Sequence, residues 1–375
     1  MKIFKPIFLI FCSIILLTTT STHAATFCVT TSAEFHTALD TADSNSQSDL
    51  IKIAMGTYTP SGNWFGYFGD ESNANEMFDI EISGGWGFFF GNPCGRKADV
   101  SPFTTKLDGN FSSGILNMAI GATTNIKISN LSFINAGDSI PGHPGSGLTI
   151  NADANTDITI ENNAFINNTA PVSSSTLNIH GDETKSVNVN NNLFALNHSD
   201  NWGVISIGIH NNDKLFFINN TVVNNTTGTT NPDRSGGLTI SGSGKSMVAN
   251  NILWGNDIRD LRYIGSGSLT YLENNDIEFF DNTVDVEFGN ISVPPAFEIG
   301  LLNYNLSPNS QLINAGIHPP NVIHVPPLVD ETWALSSTDM LGDVRIQSSK
   351  VDIGAYESPY DFLDIIFENS FEFIN

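Results

Sequence analysis

The chain has 375 residues, with 15 Lys plus Arg against 39 Asp plus Glu and a formal net charge of −24 at pH 7. That balance excludes a nucleic-acid partner, because binding a phosphate backbone takes a basic stripe that displaces counterions. At 40% hydrophobic and 14% charged residues the chain can build a sizeable core and is not an acidic disordered tail, while 32 glycines and many asparagines point to turns rather than long helices.

Residues 1–24 read as a secretory signal peptide: Lys2 and Lys5 form the basic start, Ile7 to Leu17 the apolar stretch, and Thr22-His23-Ala24 a small-residue cleavage site. The apolar run is short for a bilayer, and no second run of spanning length follows, so the mature chain is expected to have no transmembrane segment. Cys12 goes with the leader. Cys28 and Cys94 remain, and in an oxidising compartment an isolated pair reads as a disulfide rather than a metal site, which would want four ligands.

The start of the mature chain, 25–60, reads as a cap and first coil. TFCVTT is a strand; Thr31 with Glu34 forms a capping-box pattern opening a helix to about Ala42, with Phe35, Ala38, Leu39 and Ala42 on one face. Asp49–Tyr58 is the next strand region, followed by DIEISGGWG at 79–87 and TTKLDGN at 104–110. Trp64, Phe65, Tyr67 and Phe68 cluster between the first two of these, and Phe88, Phe89 and Phe90 follow Trp86. These aromatics either stack on sugar rings, with Trp64 and Tyr67 as binding candidates, or pack over the open N-terminal end.

Self-similarity dominates residues 125–280. NIKISNLSFINA, TDITIENNAFINN, KSVNVNNNLFALN, DKLFFINNTVVNN, KSMVANNILWGN and SLTYLENNDIEFF align without gaps, their first shared Asn falling at Asn130, Asn162, Asn191, Asn219, Asn250 and Asn274. Steps of 24 to 32 residues indicate a solenoid with loops of varying length. Apolar residues alternate ahead of each Asn pair, the period of a half-buried strand, and the pair marks a tight bend because Asn tolerates left-handed backbone angles. A second strand recurs as SGLTI, STLNI, GVISI and GGLTI. Strands returning to one position every coil pair in parallel, so the chain reads as all-β: a right-handed parallel β-helix over 25–358 with a short N-terminal capping helix. Asn ladders are expected at its corner and Phe and Ile ladders inside.

The chain resembles the secreted right-handed parallel β-helix repeat proteins of Gram-negative bacteria that carry a C-terminal choice-of-anchor region. FCVTTSAEFHTALDTA with IKIAMGTYTP looks like their cap and first coil, ISGGWG and KLDG like the next coils, and YNLSPNSQLINAG, LGDVR and VDIGAYE within 296–358 like the end of their stack. Asn314-Ala315-Gly316 departs from the usual Asp-Ala-Gly. The resemblance implies export, with the acidic-aromatic tail 359–375, including DIIFENSFE, similar to a suffix of exported proteins.

Function has to be read from sites, because β-helices host lyases and hydrolases as well as adhesins. His180, Asp182, Glu183, His198, Asp200, His210 and Asp213 follow successive strands and could line a polar groove for binding, or be solvated loop residues. Asp257, Arg259, Asp260 and Arg262 in NDIRDLR are the catalytic candidates, since a polysaccharide lyase needs a basic residue with carboxylates nearby; a surface salt-bridge cluster is the plain alternative. No Asp-Asp pair or Gly-His-Gly occurs in the mature chain, and no Ca²⁺-binding repeat, so no metal or cofactor is expected. The leading expectation is a secreted or cell-surface module, for adhesion or a structural role, that contacts carbohydrate or a surface protein along the solenoid face. The alternative is a polysaccharide lyase or glycoside hydrolase acting on acidic polysaccharide.

Overall fold

The structure, a computed structural model, describes residues 25–68, 78–121, 124–137, 146–153, 155–170, 175–181, 184–200, 203–231, 233–265, 269–280, 282–300, 302–319, 334–347 and 350–360. The leader expected over 1–24, residues 361–375 of the tail, and Asp182 with Glu183 lie outside these.

The strands form a right-handed parallel β-helix with three long sheets. Sheet A runs along the stack through Ala25–Val29, Asp49–Ala54, Ile80–Phe89, Asn125–Ser129, Asp157–Glu161, Ser186–Asn190, Lys214–Ile218, Lys245–Ala249, Leu269–Glu273 and Val286–Phe288, all parallel neighbours. Sheet B runs from Gly56–Tyr58 through Thr105–Asp108, Ser132–Ile134, Ala164–Ile166, Leu193–Ala195, Thr221–Val223 and Ile252–Trp254 to Asp276–Ile277. Sheet C runs from Phe65–Phe68 through Leu116–Ile120, Leu148–Ala152, Leu177–Gly181, Ile205–Ile209 and Leu238–Gly242 to Leu261–Ile264. Each coil visits A, B and C in turn, and right-handed crossovers between parallel strands are what twisted strands of L-residues favour. No helix among the described residues is long and apolar enough to cross a membrane.

Alternation puts one row of each strand inside. Ile128, Ile160, Val189, Phe217, Val248 and Leu272 stack in sheet A, and Leu148, Leu177, Ile205, Leu238 and Leu261 in sheet C, all buried. In sheet B, Phe133, Phe165 and Phe194 lie face to face with centroids 4.7 and 4.6 Å apart, near the strand spacing, so one offset ring fits per coil.

The corner between A and B shows why Asn comes in pairs. The first Asn of each corner takes a left-handed backbone, with φ from 49° to 57° at positions 130, 162, 191, 219, 250 and 274, which Asn accepts at lower cost than most side chains; Leu131 follows the first of these where the later coils have a second Asn. The ladder is carried by the second. Asn163 Nδ2 donates to Asn192 Oδ1 at 3.2 Å, Asn192 to Asn220 at 3.0 Å, Asn220 to Asn251 at 3.1 Å, and Asn251 to Asn275 at 2.9 Å. A parallel ladder follows sheet B, Asn168 to Asn197 to Asn225 to Asn256, and it ends where Asn256 Nδ2 donates to Asp260 at 2.7 Å.

The N-terminal end is covered as the capping box requires. The helix Ser32–Ala42 starts with Thr31 accepting from Glu34 N, and buries Phe35, Ala38, Leu39 and Ala42. Cys28 and Cys94 are bonded, with Cα atoms 5.6 Å apart; closing a 66-residue separation is worth about 4 kcal/mol in the loop-entropy picture.

Residues 296–358 contribute no strand to the three sheets among the described residues; they lie along the outside of the stack. Tyr304, Leu306, Leu312, Ile313, Met340, Ile353, Ala355 and Tyr356 pack on the outer apolar face of sheet B formed by Ala164, Ile166, Leu193, Ala195, Val223 and Ile252. Ile317 and Leu335 pack with Ile218, Met247, Ala249 and Tyr271 of sheet A. The left-handed Asn row supplies the polar seam. Asn274 Nδ2 donates to Ala315 O, Asn250 to Ile317 O, Asn219 to Asp352 O and Gly354 O, and Asn191 to Thr338 O, all at 2.9 to 3.1 Å. Arg345 is fully buried there. It donates to Asn191 Oδ1 at 2.6 Å, to Gly354 O and Ala355 O, and to Glu357 at 3.3 Å.

Candidate functional site

With sheet B and the later strands of sheet A covered by the C-terminal segment, polar outer rows remain on sheet C and on the earlier strands of sheet A, where Glu81, Lys127, Thr159 and Asn188 are in register; the sheet C row is the longer. In register, its residues are Asn117, Thr149, Asn178, Ser206, Thr239 and Arg262, of which Thr149 and Thr239 are buried, with Asn151, His180, Gly208 and Ser241 in the next row between Ala119 and Ile264. The same alternation that buries Leu148 and Ile150 turns these residues outward.

At the edge of sheet C leading into sheet A, side chains from three coils meet around Gly208. A Cβ at that glycine would lie 3.3 Å from His180 Nδ1, 3.7 Å from Ser241 Oγ and 3.8 Å from His210 Nε2. Glycine therefore opens a notch lined by two imidazoles and a hydroxyl, and the rings of His180 and His210 meet edge to face at 6.0 Å. Beyond the notch a cavity of about 340 Å³ is lined by Asn155, Thr184, Lys185, Asn211, Asn212, Asp213 and Lys214. Asp213 accepts from His210 N at 2.7 Å, Lys185 meets Asp157 at 2.6 Å, and Lys214 neighbours Lys245 on the next strand. This edge offers hydrogen-bond donors, acceptors and positive charge together, a set suited to holding hydroxylated or acidic groups.

The histidines expected to line one groove divide between two edges. His180 lies in its sheet C strand near the end and His210 just follows its own, whereas His198 and Asp200 precede the strand Ile205–Ile209; His198 Nε2 lies 3.0 Å from Asp200 Oδ1 and its Nδ1 2.9 Å from Thr226 Oγ1. The aromatic candidates separate as well. Tyr67 is 3% exposed and sits inside sheet C opposite Met118, so it packs in the core and presents no ring to a sugar; Trp64 beside it is half-buried.

The four residues of NDIRDLR do not converge. Asp257 Oδ2 accepts from Thr227 N at 3.0 Å. The carbonyl of Arg259 accepts from Ser235 Oγ and Gly237 N. Arg262 points outward on sheet C, donating to Asp233 O with its other nitrogen 3.9 Å from that carboxylate. Asp260 points inward, 1% exposed, and terminates the second Asn ladder. Burial pushes its carboxyl up to about 6 against hydrogen bonds from Asn256 and Phe279 N that pull it down.

Sequence reading missed the buried carboxyls around these ends. Burial raises Asp276, one coil on, to about 7, with Asp260 and Glu278 adding repulsion. In the C-terminal segment, burial raises Asp352 to about 6 and Glu357 to about 8 even with Arg345 beside them. One guanidinium faces Asp339, Asp352 and Glu357, so a single positive charge does not offset the burial that raises the Asp352 and Glu357 carboxyls. The signal for it was a lone Arg next to VDIGAYE, without the three-dimensional contact that gives it meaning. These groups lie inside the packing, so their shifts report burial and not access to a substrate.

Comparison with protein families finds no family model that matches the chain, and comparison with curated proteins finds no match. Among solved structures the chain is similar to the crystal structure of pectate lyase Pel9A, with 16% identity, a TM-score of 0.34, and coverage of 85% of this chain and 90% of that one.

Proposed function

We propose that the chain is an exported, cell-surface or extracellular binding module that holds an extended polysaccharide along the outer face of sheet C. The observation that carries this reading is the in-register polar row from Asn117 to Arg262, with the notch between His180, Ser241 and His210 beside its middle. One coil advances about 4.8 Å, so a polymer lying along the axis meets equivalent polar groups repeatedly, and binding is spread over several coils. The disulfide Cys28–Cys94 and the leader pattern of 1–24 support export, and the resemblance in VDIGAYE supports placement at the surface of a Gram-negative cell. A surface protein is the other partner this face suits.

The second reading is a lyase or hydrolase acting on acidic polysaccharide. Its support is that Arg262, one of the catalytic candidates with Asp257, Arg259 and Asp260, lies on the same sheet C face.

The test is incubation with a panel of acidic and neutral polysaccharides, with and without Ca²⁺, following binding and new unsaturated or reducing ends. Binding without cleavage, weakened about tenfold in a His180→Ala, His210→Ala double variant, is the expected result; two hydrogen bonds to a ligand are worth about that much. Binding that the double variant leaves unchanged refutes this site. Cleavage abolished by Arg259→Ala with Arg262→Ala replaces the binding reading with the enzymatic one.

A further inference from the structure

The strand Ile80–Phe89 has ten residues where the strand beside it, Asn125–Ser129, has five. Its first half, Ile80 to Ser83, lies between neighbours in sheet A. Beyond a register shift Trp86 still pairs with Ala54, and the second half then pairs antiparallel with Asn92–Lys97, joining Trp86 to Lys97 and Phe89 to Asn92. The hairpin tip carries Phe88, Phe89 and Phe90, which are 69%, 44% and 92% exposed. They do not fold over the N-terminal end.

The base of this hairpin is held firmly. Cys94 is bonded to Cys28 of the first sheet A strand. Lys97 Nζ donates to Gly84 O at 2.6 Å and to Asn130 Oδ1 at 2.9 Å, and Lys52 lies 4.2 Å over the Trp86 ring. Phe90 has a left-handed backbone, φ 47°, a conformation that a bulky side chain seldom adopts. A rigid base, a strained apex and three adjacent rings in water cost stability and gain nothing within the monomer.

Chemistry selects the occupant. Phe89 and Phe90 meet edge to face at 4.3 Å, so they offer no flat platform for a sugar ring, and phenylalanine brings no hydroxyl or N–H to one. From Ile82 to Ala98 there is no acidic residue, although the chain has 39; the charged residues there are Arg96 and Lys97. Arg96 lies 5.8 Å from the Phe89 ring, placed to meet a lipid phosphate while the rings enter the acyl region, the division of labour of an interfacial anchor.

We propose that the Trp86–Lys97 hairpin is a lipid-contacting anchor that inserts Phe88 and Phe90 into the surface of a bilayer. It docks the solenoid without spanning the membrane. The proposal is independent of what sheet C binds.

The test is co-sedimentation of the protein, recovered from an export-competent host, with phosphatidylcholine vesicles. The unsubstituted protein is expected to partition onto the vesicles. The double variant Phe88→Ser, Phe90→Ser should lose about tenfold per ring, as burial of each phenyl group implies, with an unchanged thermal midpoint because neither ring is in the core. In a Phe90→Trp variant, tryptophan emission should shift to the blue when vesicles are added. No partitioning of the unsubstituted protein, or equal partitioning of the double variant, overturns the proposal. So does a lipid-free dimer in sedimentation velocity that the double variant abolishes, which would make a second copy the occupant.

Discussion

Replacing Asn192 by Leu tests whether the corner ladder is structural, because the side chains are close in volume but Leu can neither donate nor accept. Asn192 is 0% exposed. Its Nδ2 donates to Ile160 O at 2.8 Å, Asn190 O at 2.9 Å and Asn220 Oδ1 at 3.0 Å, and its Oδ1 accepts from Asn163 N at 2.9 Å and Asn163 Nδ2 at 3.2 Å. The substitution orphans the Asn163 backbone amide and one hydrogen of its side-chain amide in a place that water does not reach. At about 1–3 kcal/mol per orphan, the expected loss is about 3–5 kcal/mol, partly offset by the added apolar burial. Urea unfolding would read it against Asn188→Leu on the half-buried outer face of the same strand, expected to change stability by less than about 0.5 kcal/mol. Amide hydrogen exchange should show lost protection at the Asn163 and Asn220 corners on either side. A loss below about 1 kcal/mol, matching the Asn188 control, would refute the idea that the ladder bears stability.

Two further outcomes follow from the same structure. Asp260 and Asp352 at about 6, Asp276 at about 7 and Glu357 at about 8 are raised by burial above their unfolded values. The folded chain therefore binds more protons than the unfolded one in that window, and these groups make stability fall as pH rises through it. The thermal midpoint should be higher near about pH 5 than near about pH 8, and a midpoint that rises over that interval would contradict the buried-carboxyl account. Leu196 has φ 58° and is 44% exposed, at a corner where Asn135, Asn167 and Asn224 take the same conformation. Leu196→Asn should stabilise by about 1 kcal/mol by relieving the left-handed penalty, and a urea midpoint that stays level or drops would rule this out.

The repeat was legible because each coil repeats a physical need: alternating apolar positions to fill the stack, and Asn where the chain turns left-handed. The capping box at Thr31 and Glu34 was legible because all of it lies within four residues. Local pattern could not divide the labour within an Asn pair, since both members sit at the corner and the ladder depends on which amide points along the axis. Nor could it place Tyr67, whose inward direction is set by pairing with Met118 in a later coil. The charges of NDIRDLR looked concentrated in sequence, but alternation and the turn send Asp260 inward and Arg262 outward. The notch at Gly208 was invisible for a related reason, because its three polar neighbours come from separate coils and the deciding residue is a missing side chain.

The segment running back along the stack changes how the solenoid comes together. A stack whose coils touch only their neighbours can form or fray from an end, one coil at a time. Here Arg345 bonds Asn191, 154 residues earlier, and Asn219 holds Gly354 across 135. The middle coils therefore reach their final packing only after residues up to Gly354 have emerged, and a chain lacking that segment displays the bare apolar outer face of sheet B. Completion of the fold waits on this segment, and its loss costs every coil it crosses rather than the final one alone.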